Sequence, residues 1–222
     1  HNPVGRVFTY EELHKMGEIC LRNNVKLVVD EIHADIVFKP HKHITFTNLP
    51  KEIRDQSVVL ISPSKTFNLA GFQTSAAIIP NQEMLEAYRH QAEINRTGSI
   101  NCMGEVAMCA AYDQCAYYVD ELMEYLAANK SFAEETVRDR FPSLKLIDLE
   151  GTYLLWVDFR KADIPLSDLD RFLIEEAKIA VDYGHWFGEE GLGFIRINIA
   201  CPKHLLAEAF DRLETAMAKY TD

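Results

Sequence analysis

Several features are missing from this 222-residue sequence, and each absence excludes a class of function. No apolar run approaches the roughly 18 residues that a membrane-spanning helix needs, so no membrane partner is expected. The opening residues, His1-Asn2-Pro3-Val4-Gly5-Arg6, lack the charged-then-apolar layout of a signal peptide, and the chain reads as cytoplasmic. Lysine and arginine are scarce: 23 against 34 acidic residues gives a net charge of -11, and no basic cluster exists to neutralise phosphates along a duplex. Nucleic acid is therefore not expected as a partner. The five cysteines, Cys20, Cys102, Cys109, Cys115 and Cys201, form no Cys-x-x-Cys pair, which suits reduced thiols rather than a disulfide framework or a zinc site. Internal repeats and low-complexity tracts are absent as well.

What remains is the composition of an ordinary globular protein, 48% hydrophobic and 26% charged, able to bury a core. Thr9-Tyr10-Glu11-Glu12 is a capping box followed by Leu13, Met16, Ile19 and Cys20 at helical spacing, predicting a helix from about Thr9 to Asn24. Lys26 to Glu31 is a short apolar run ending in acids, as expected of a strand buried on both faces. Ser57 to Ile61 and Thr74 to Ile79 repeat the strand pattern, and Asn81 caps a helix reaching Asn95. From Asn101 to Arg140 the residues favour helix, with a weak spot at Asn129-Lys130-Ser131 that sets the expected domain boundary. Residues 1–128 then form a layered α/β domain and residues 129–222 a smaller α+β domain. The latter has strands at Lys145 to Ile147, Tyr153 to Phe159 and Phe194 to Ile199, a helix capped by Ser167, and a last helix from Pro202 to Tyr220.

A few polar residues stand where a fold would not place them without cause. Lys65 follows a strand by four residues and sits in an apolar stretch running through Phe67, Leu69 and Phe72. Desolvation there is expected to favour the neutral, nucleophilic amine. A solvated loop lysine is the plain alternative, but the flanking hydroxyls of Ser62 and Ser64 could anchor a phosphate. Asp30 and Glu31 end a strand where open α/β sheets bind ligands. The magnesium-binding strand of P-loop ATPases ends similarly, yet the G-x-x-x-x-G-K-[ST] loop such an enzyme requires is missing. Arg196, mid-strand among apolar residues, needs an anionic partner, either a substrate carboxylate or an internal acid. His33, His41 and His43 with Asp35 fit no zinc spacing and read as surface histidines, so no metal is expected. Gly188, Gly191 and Gly193 precede a strand, the wrong order for a dinucleotide loop, and read as turns.

Four segments in order, His1 to Arg6, Asp30 to Asp35, Ser62 to Gly71 and Arg196 to Pro202, resemble fold type I pyridoxal-phosphate enzymes of the class I/II aminotransferase superfamily. The wording Asp-Glu-Ile-His and Ser-Pro-Ser-Lys-Thr-Phe-Asn-Leu-Ala-Gly is similar to the carbon-sulfur lyase branch, the cystathionine β-lyases. The resemblance implies the C-terminal part of the large cofactor-binding domain of an aspartate-aminotransferase-like fold, plus a small α+β C-terminal domain. It also implies the cofactor, pyridoxal 5'-phosphate. Lys65 becomes the Schiff-base lysine, Asn2 a donor to the cofactor's phenolic oxygen and Asp30 the partner of its pyridine nitrogen. Ser62 and Ser64 fall on the phosphate side, and Arg196 becomes the clamp on the substrate α-carboxylate. His33 joins the cofactor-binding set, where many aminotransferases carry tyrosine. Gln73 stands where many carry arginine, leaving the phosphate short of a positive partner in this segment.

The activity so implied is β-elimination from an L-cysteine conjugate such as cystathionine, giving thiol, pyruvate and ammonia, by an enzyme that is a homodimer when intact. Two alternatives stay open: an aminotransferase, or an inactive fragment or regulatory module that keeps the fold. Family members are about twice as long, so the sequence reads as a C-terminal piece, with sheet edges that lack neighbours and are prone to association.

Overall fold

The computed structural model describes residues 1–220. They divide into two compact units, one built from residues 7–121 and the other from residues 1–6 with the chain from Leu122 onward.

In the unit of residues 7–121, helix α1 (Tyr10–Arg22) begins at Thr9, whose hydroxyl accepts from the Glu12 amide while the Glu12 carboxylate accepts from the Thr9 amide. Strands β1 (Leu27–Asp30) and β2 (Ser57–Ile61) pair in parallel, and β3 (Ala76–Ile78) joins β2 antiparallel, giving the order β1-β2-β3. Short helix α2 (Lys51–Arg54) leads into β2. Leu13, Phe46, Leu49, Ile53 and Val59 form the core of this unit. Gly17 lets α1 approach α2: a Cβ there would stand 2.3 Å from an Ile53 methyl. The expectation that β1 is buried on both faces is not met. Its residues alternate in burial and Val28 is 72% exposed, because β2 is its one strand neighbour among the described residues. Helices α3 (Gln82–Ile94, capped by Asn81) and α4 (Cys102–Gln114, capped by Asn101) complete the unit, together with the first turns of α5 (Ala116–Arg140).

The long helical stretch thus breaks at Cys115, not at Asn129-Lys130-Ser131, which lies inside α5. Low propensity at that spot is overridden by a buried role for Asn129, whose Nδ2 donates to the carbonyls of Ile199 and Cys201 at 2.8 and 2.9 Å.

The second unit is a four-stranded antiparallel sheet, ordered β4 (Lys145–Leu146), β5 (Leu154–Asp158), β7 (Phe194–Asn198), β6 (Asp182–Tyr183). Phe132 on the later part of α5 and Phe141 just after it both meet Phe210 on helix α7 (Lys203–Met217), with ring centroids 6.2 and 6.1 Å from that of Phe210. Burying Phe210 alone contributes about 2–3 kcal/mol. The expected Ser167-capped helix is instead a 3-10 turn at Leu166–Asp168, the single turn α6 (Leu169–Arg171) and a π turn at Phe172–Glu176. No side chain caps it; burial of Leu169, Phe172 and Leu173 holds the segment in place.

Candidate active site

Because β1 and β2 run parallel, their C-terminal ends open at one edge of the sheet, with Asp30 opposite Leu60. Antiparallel β3 starts at that same edge, Ala76 opposite Ile61. Asp30, the loop after it and residues 62–74 are thereby gathered at the edge where such sheets bind ligands. Asp30 is exposed; its Oδ1 accepts from the Ile32 amide at 3.1 Å, closing a local turn. His33 follows, half-buried. Asp35 then accepts from the buried Thr66 hydroxyl at 2.8 Å, tying the loop after β1 to the turn that carries Lys65.

That turn is closed by the Phe67 amide donating to Pro63 O and the Leu69 amide to Ser64 O. Ser62 is buried; its hydroxyl donates to the Thr74 carbonyl at 2.7 Å, accepts from the Ser64 amide and lies 2.8 Å from Ser64 Oγ. One hydroxyl proton cannot serve two acceptors, and a carbonyl can only accept, so the Ser62 proton belongs to Thr74. The half-buried Ser64 hydroxyl is the one of the pair that can turn toward an anion. Lys65 itself is exposed, without a hydrogen bond or ion pair among the described residues. This corrects the expectation of a desolvated amine. The apolar neighbours turn elsewhere: Phe67 packs edge-on against Tyr112 and stacks near Tyr118, leaving the lysine uncovered.

Glu31, one residue beyond β1, belongs to the scaffold. Its buried carboxylate accepts from the Phe46 amide at 2.7 Å and pairs with His43 Nε2 at 3.1 Å. Burial works against the charge, but hydrogen bonds from His43, the Phe46 amide and Thr45 outweigh it and hold the carboxyl below its usual range. His43 is therefore not the free surface histidine that its spacing suggested.

In the second unit, Arg196 occupies the middle of β7, with Trp156 opposite it on β5 and Asp182 opposite it on β6. Its Nε and Nη2 donate to Asp182 Oδ2 at 3.0 and 2.5 Å, its Nη1 donates to Asn2 Oδ1 at 2.6 Å, and the guanidinium lies 4.8 Å from the centre of the Phe187 ring. Asn2 is carried there by the 1–6 segment. The Gly5 carbonyl accepts from the amides of Glu150 and Gly151, and Gly5, at φ 79°, approaches Leu149 too closely for a side chain. Burial pushes the Tyr153 hydroxyl up, against the pull of the nearby Arg196 charge. Asp182 and Phe187 carried no signal in the sequence, since a lone acid and a lone aromatic become partners of Arg196 only through the β6–β7 register and the turn beyond it.

One unit is an α/β layer whose parallel strand pair delivers a carboxylate and a lysine turn to one edge, and the other is an antiparallel sheet that holds an arginine with an asparagine. Residues 1–213 match the aminotransferase class I and II family, and the chain belongs to it. It is 34% identical over 98% of its length to cystathionine beta-lyase PatB of Bacillus subtilis, and 35% identical over 97% to protein MalY of Escherichia coli. Cystalysin from Treponema denticola, solved with pyridoxal 5'-phosphate, superposes with a TM-score of 0.92 at 33% identity, over 99% of this chain and 56% of that one. The chain spans 55–56% of the length of the two curated relatives.

Proposed function

We propose that the protein works as a pyridoxal-phosphate-dependent carbon-sulfur lyase, releasing thiol, pyruvate and ammonia from L-cysteine conjugates such as cystathionine. The observation that carries this reading is the convergence of Asp30, Lys65 and the Ser62/Ser64 hydroxyl pair at one edge of the parallel strands. Those groups fit the cofactor chemically: an amine without a partner for its aldehyde, a carboxylate with one oxygen uncommitted for its pyridine nitrogen, and a hydroxyl able to turn for its phosphate. When bound, pyridoxal phosphate supplies a protonated ring that withdraws the electrons left at the substrate Cα.

Lys65 would hold the cofactor through its amine and, as the free amine, would take the substrate Cα proton as general base. Asp30 would pair with the ring nitrogen and keep it protonated. By the family resemblance Asn2 would donate to the phenolic oxygen, and His33 would join the cofactor-binding residues. Arg196 binds the substrate α-carboxylate and so sets which bond at Cα stands ready to break. The thiolate leaves from Cβ, and hydrolysis of the remaining three-carbon unit gives pyruvate and ammonia. Exposed apolar side chains on α3 and α4, among them Ile94, Met103 and Val106, support a homodimer. The free cysteines suit a reducing compartment.

Incubating the protein with pyridoxal phosphate and cystathionine tests the reading. Pyruvate formed without any added keto acid is expected. A requirement for keto acid would instead assign transamination, and retained cofactor without turnover would assign a binding role. Lys65→Ala should lose the visible absorbance of the lysine-bound cofactor; a borohydride-sensitive band persisting in that variant would overturn the role of Lys65.

A further inference from the structure

Arg196 is already held by an acid of its own chain, and the manner of holding is selective. A guanidinium offers five N–H bonds. Asp182 takes one from Nε and one from Nη2, and Asn2 takes one from Nη1. Two N–H bonds remain, one on each terminal nitrogen, a number that matches the two oxygens of one carboxylate. Both partners are fixed by the backbone: Asp182 by its register opposite Arg196, Asn2 by the docking of Gly5. The Phe187 ring supports the guanidinium plane.

We propose that Asp182 is a positioning residue for the reaction, fixing the rotation of Arg196 so that the substrate α-carboxylate can meet only the edge formed by Nη1 and Nη2. This rests on the reading of Arg196 as the carboxylate clamp. With the Nε edge taken, a substrate has one bidentate mode, hence one orientation of the bonds at Cα. The carboxylate of Asp182 also offsets the arginine charge, so orientation is gained at some cost in affinity.

The two effects separate on substitution in the cofactor-loaded protein. Asp182→Ala opens a second, side-on mode and removes a repelling charge. Its kcat should fall by about tenfold or more, while the dissociation constant of a non-reacting L-amino acid stays level or drops by about threefold. Asp182→Asn, whose amide oxygen still accepts from Nε and Nη2, should recover kcat to within about threefold of the parent. In the cofactor-free protein, the Arg196 Nε–H resonance should exchange slowly in the parent and in Asp182→Asn, and rapidly in Asp182→Ala. An unchanged kcat in Asp182→Ala overturns the proposal, as does a parallel loss of kcat and affinity that Asp182→Asn fails to rescue. Arg196→Gln tests the underlying reading separately: amino-acid affinity should fall by about tenfold or more, and unchanged affinity would remove the clamp and Asp182's role with it.

Discussion

His43 meets the buried carboxylate of Glu31 at 3.1 Å, one residue beyond the end of β1. Hydrogen bonds hold the Glu31 carboxyl below its ordinary 4.5, so at acid pH the unfolded chain takes up this proton before the folded one does. The stability it contributes is complete above that ordinary value and is lost as pH falls through the folded value. Thermal unfolding followed from neutral pH to about pH 3 should show Glu31→Gln with a shallower acid slope than the parent, and a lower midpoint at neutral pH from a loss of about 1–3 kcal/mol. Identical slopes in the two proteins would remove Glu31 from the acid transition.

The Thr66 hydroxyl donates to Asp35 at 2.8 Å and ties the loop after β1 to the lysine turn. Thr66→Val keeps the shape and removes the donor, leaving exposed Asp35 to water, so the stability cost should be modest, about 1 kcal/mol. Its effect should show in cofactor affinity, since Asp30 and Lys65 are no longer held in register: a rise of about fivefold in the dissociation constant for pyridoxal phosphate. Titration of the cofactor-free protein by absorbance measures it, and equal affinity would show that the turn holds itself.

Much of the first unit was legible in the sequence because its signals are local. The Thr9/Glu12 capping box, the Asn81 cap and the Ser57–Ile61 run each specify their element within a few residues, and the structure places them there. Signals that depend on distant chain failed. The apolar run of β1 predicts two covered faces, but coverage comes from neighbours, and Val28 lacks one among the described residues. Lys65 looked desolvated because apolar residues follow it, whereas burial is decided by where Phe67 packs. Arg196 was legible as an arginine needing an anion; that Asp182 is its internal partner required the β6–β7 register.

Asn129 shows the same limit from the opposite side. As Asn-Lys-Ser it reads as a weak point in a helix, yet its side chain clasps two carbonyls beyond β7 and is 1% exposed. Asn129→Ala leaves both carbonyls without that donor and should cost about 1–3 kcal/mol in urea unfolding. Asn129→Asp, which sets a carboxylate against two carbonyl oxygens, should cost more than the alanine. An aspartate variant as stable as the parent would show that water or a backbone shift satisfies those carbonyls.

Gly184 and Gly191 approach one another so closely that a Cβ on either would stand 2.0 Å from the carbonyl oxygen of the other. Their contact closes the turn carrying Phe187, which meets Trp156 edge-on at 5.6 Å and supports Arg196. Any side chain at position 191 must push the turn outward, because the obstacle is backbone and not a flexible side-chain end. Gly191→Ala should therefore lose about 1–3 kcal/mol of stability. It should also weaken amino-acid binding by about fivefold as the ring leaves the guanidinium. Phe187→Ala separates the two effects: it removes the ring while leaving the glycine contact intact, so it should reproduce the binding loss with the turn unstrained. If Gly191→Ala binds as the parent does while Phe187→Ala does not, the turn absorbs the added methyl without moving the ring, and the glycine pair serves packing alone.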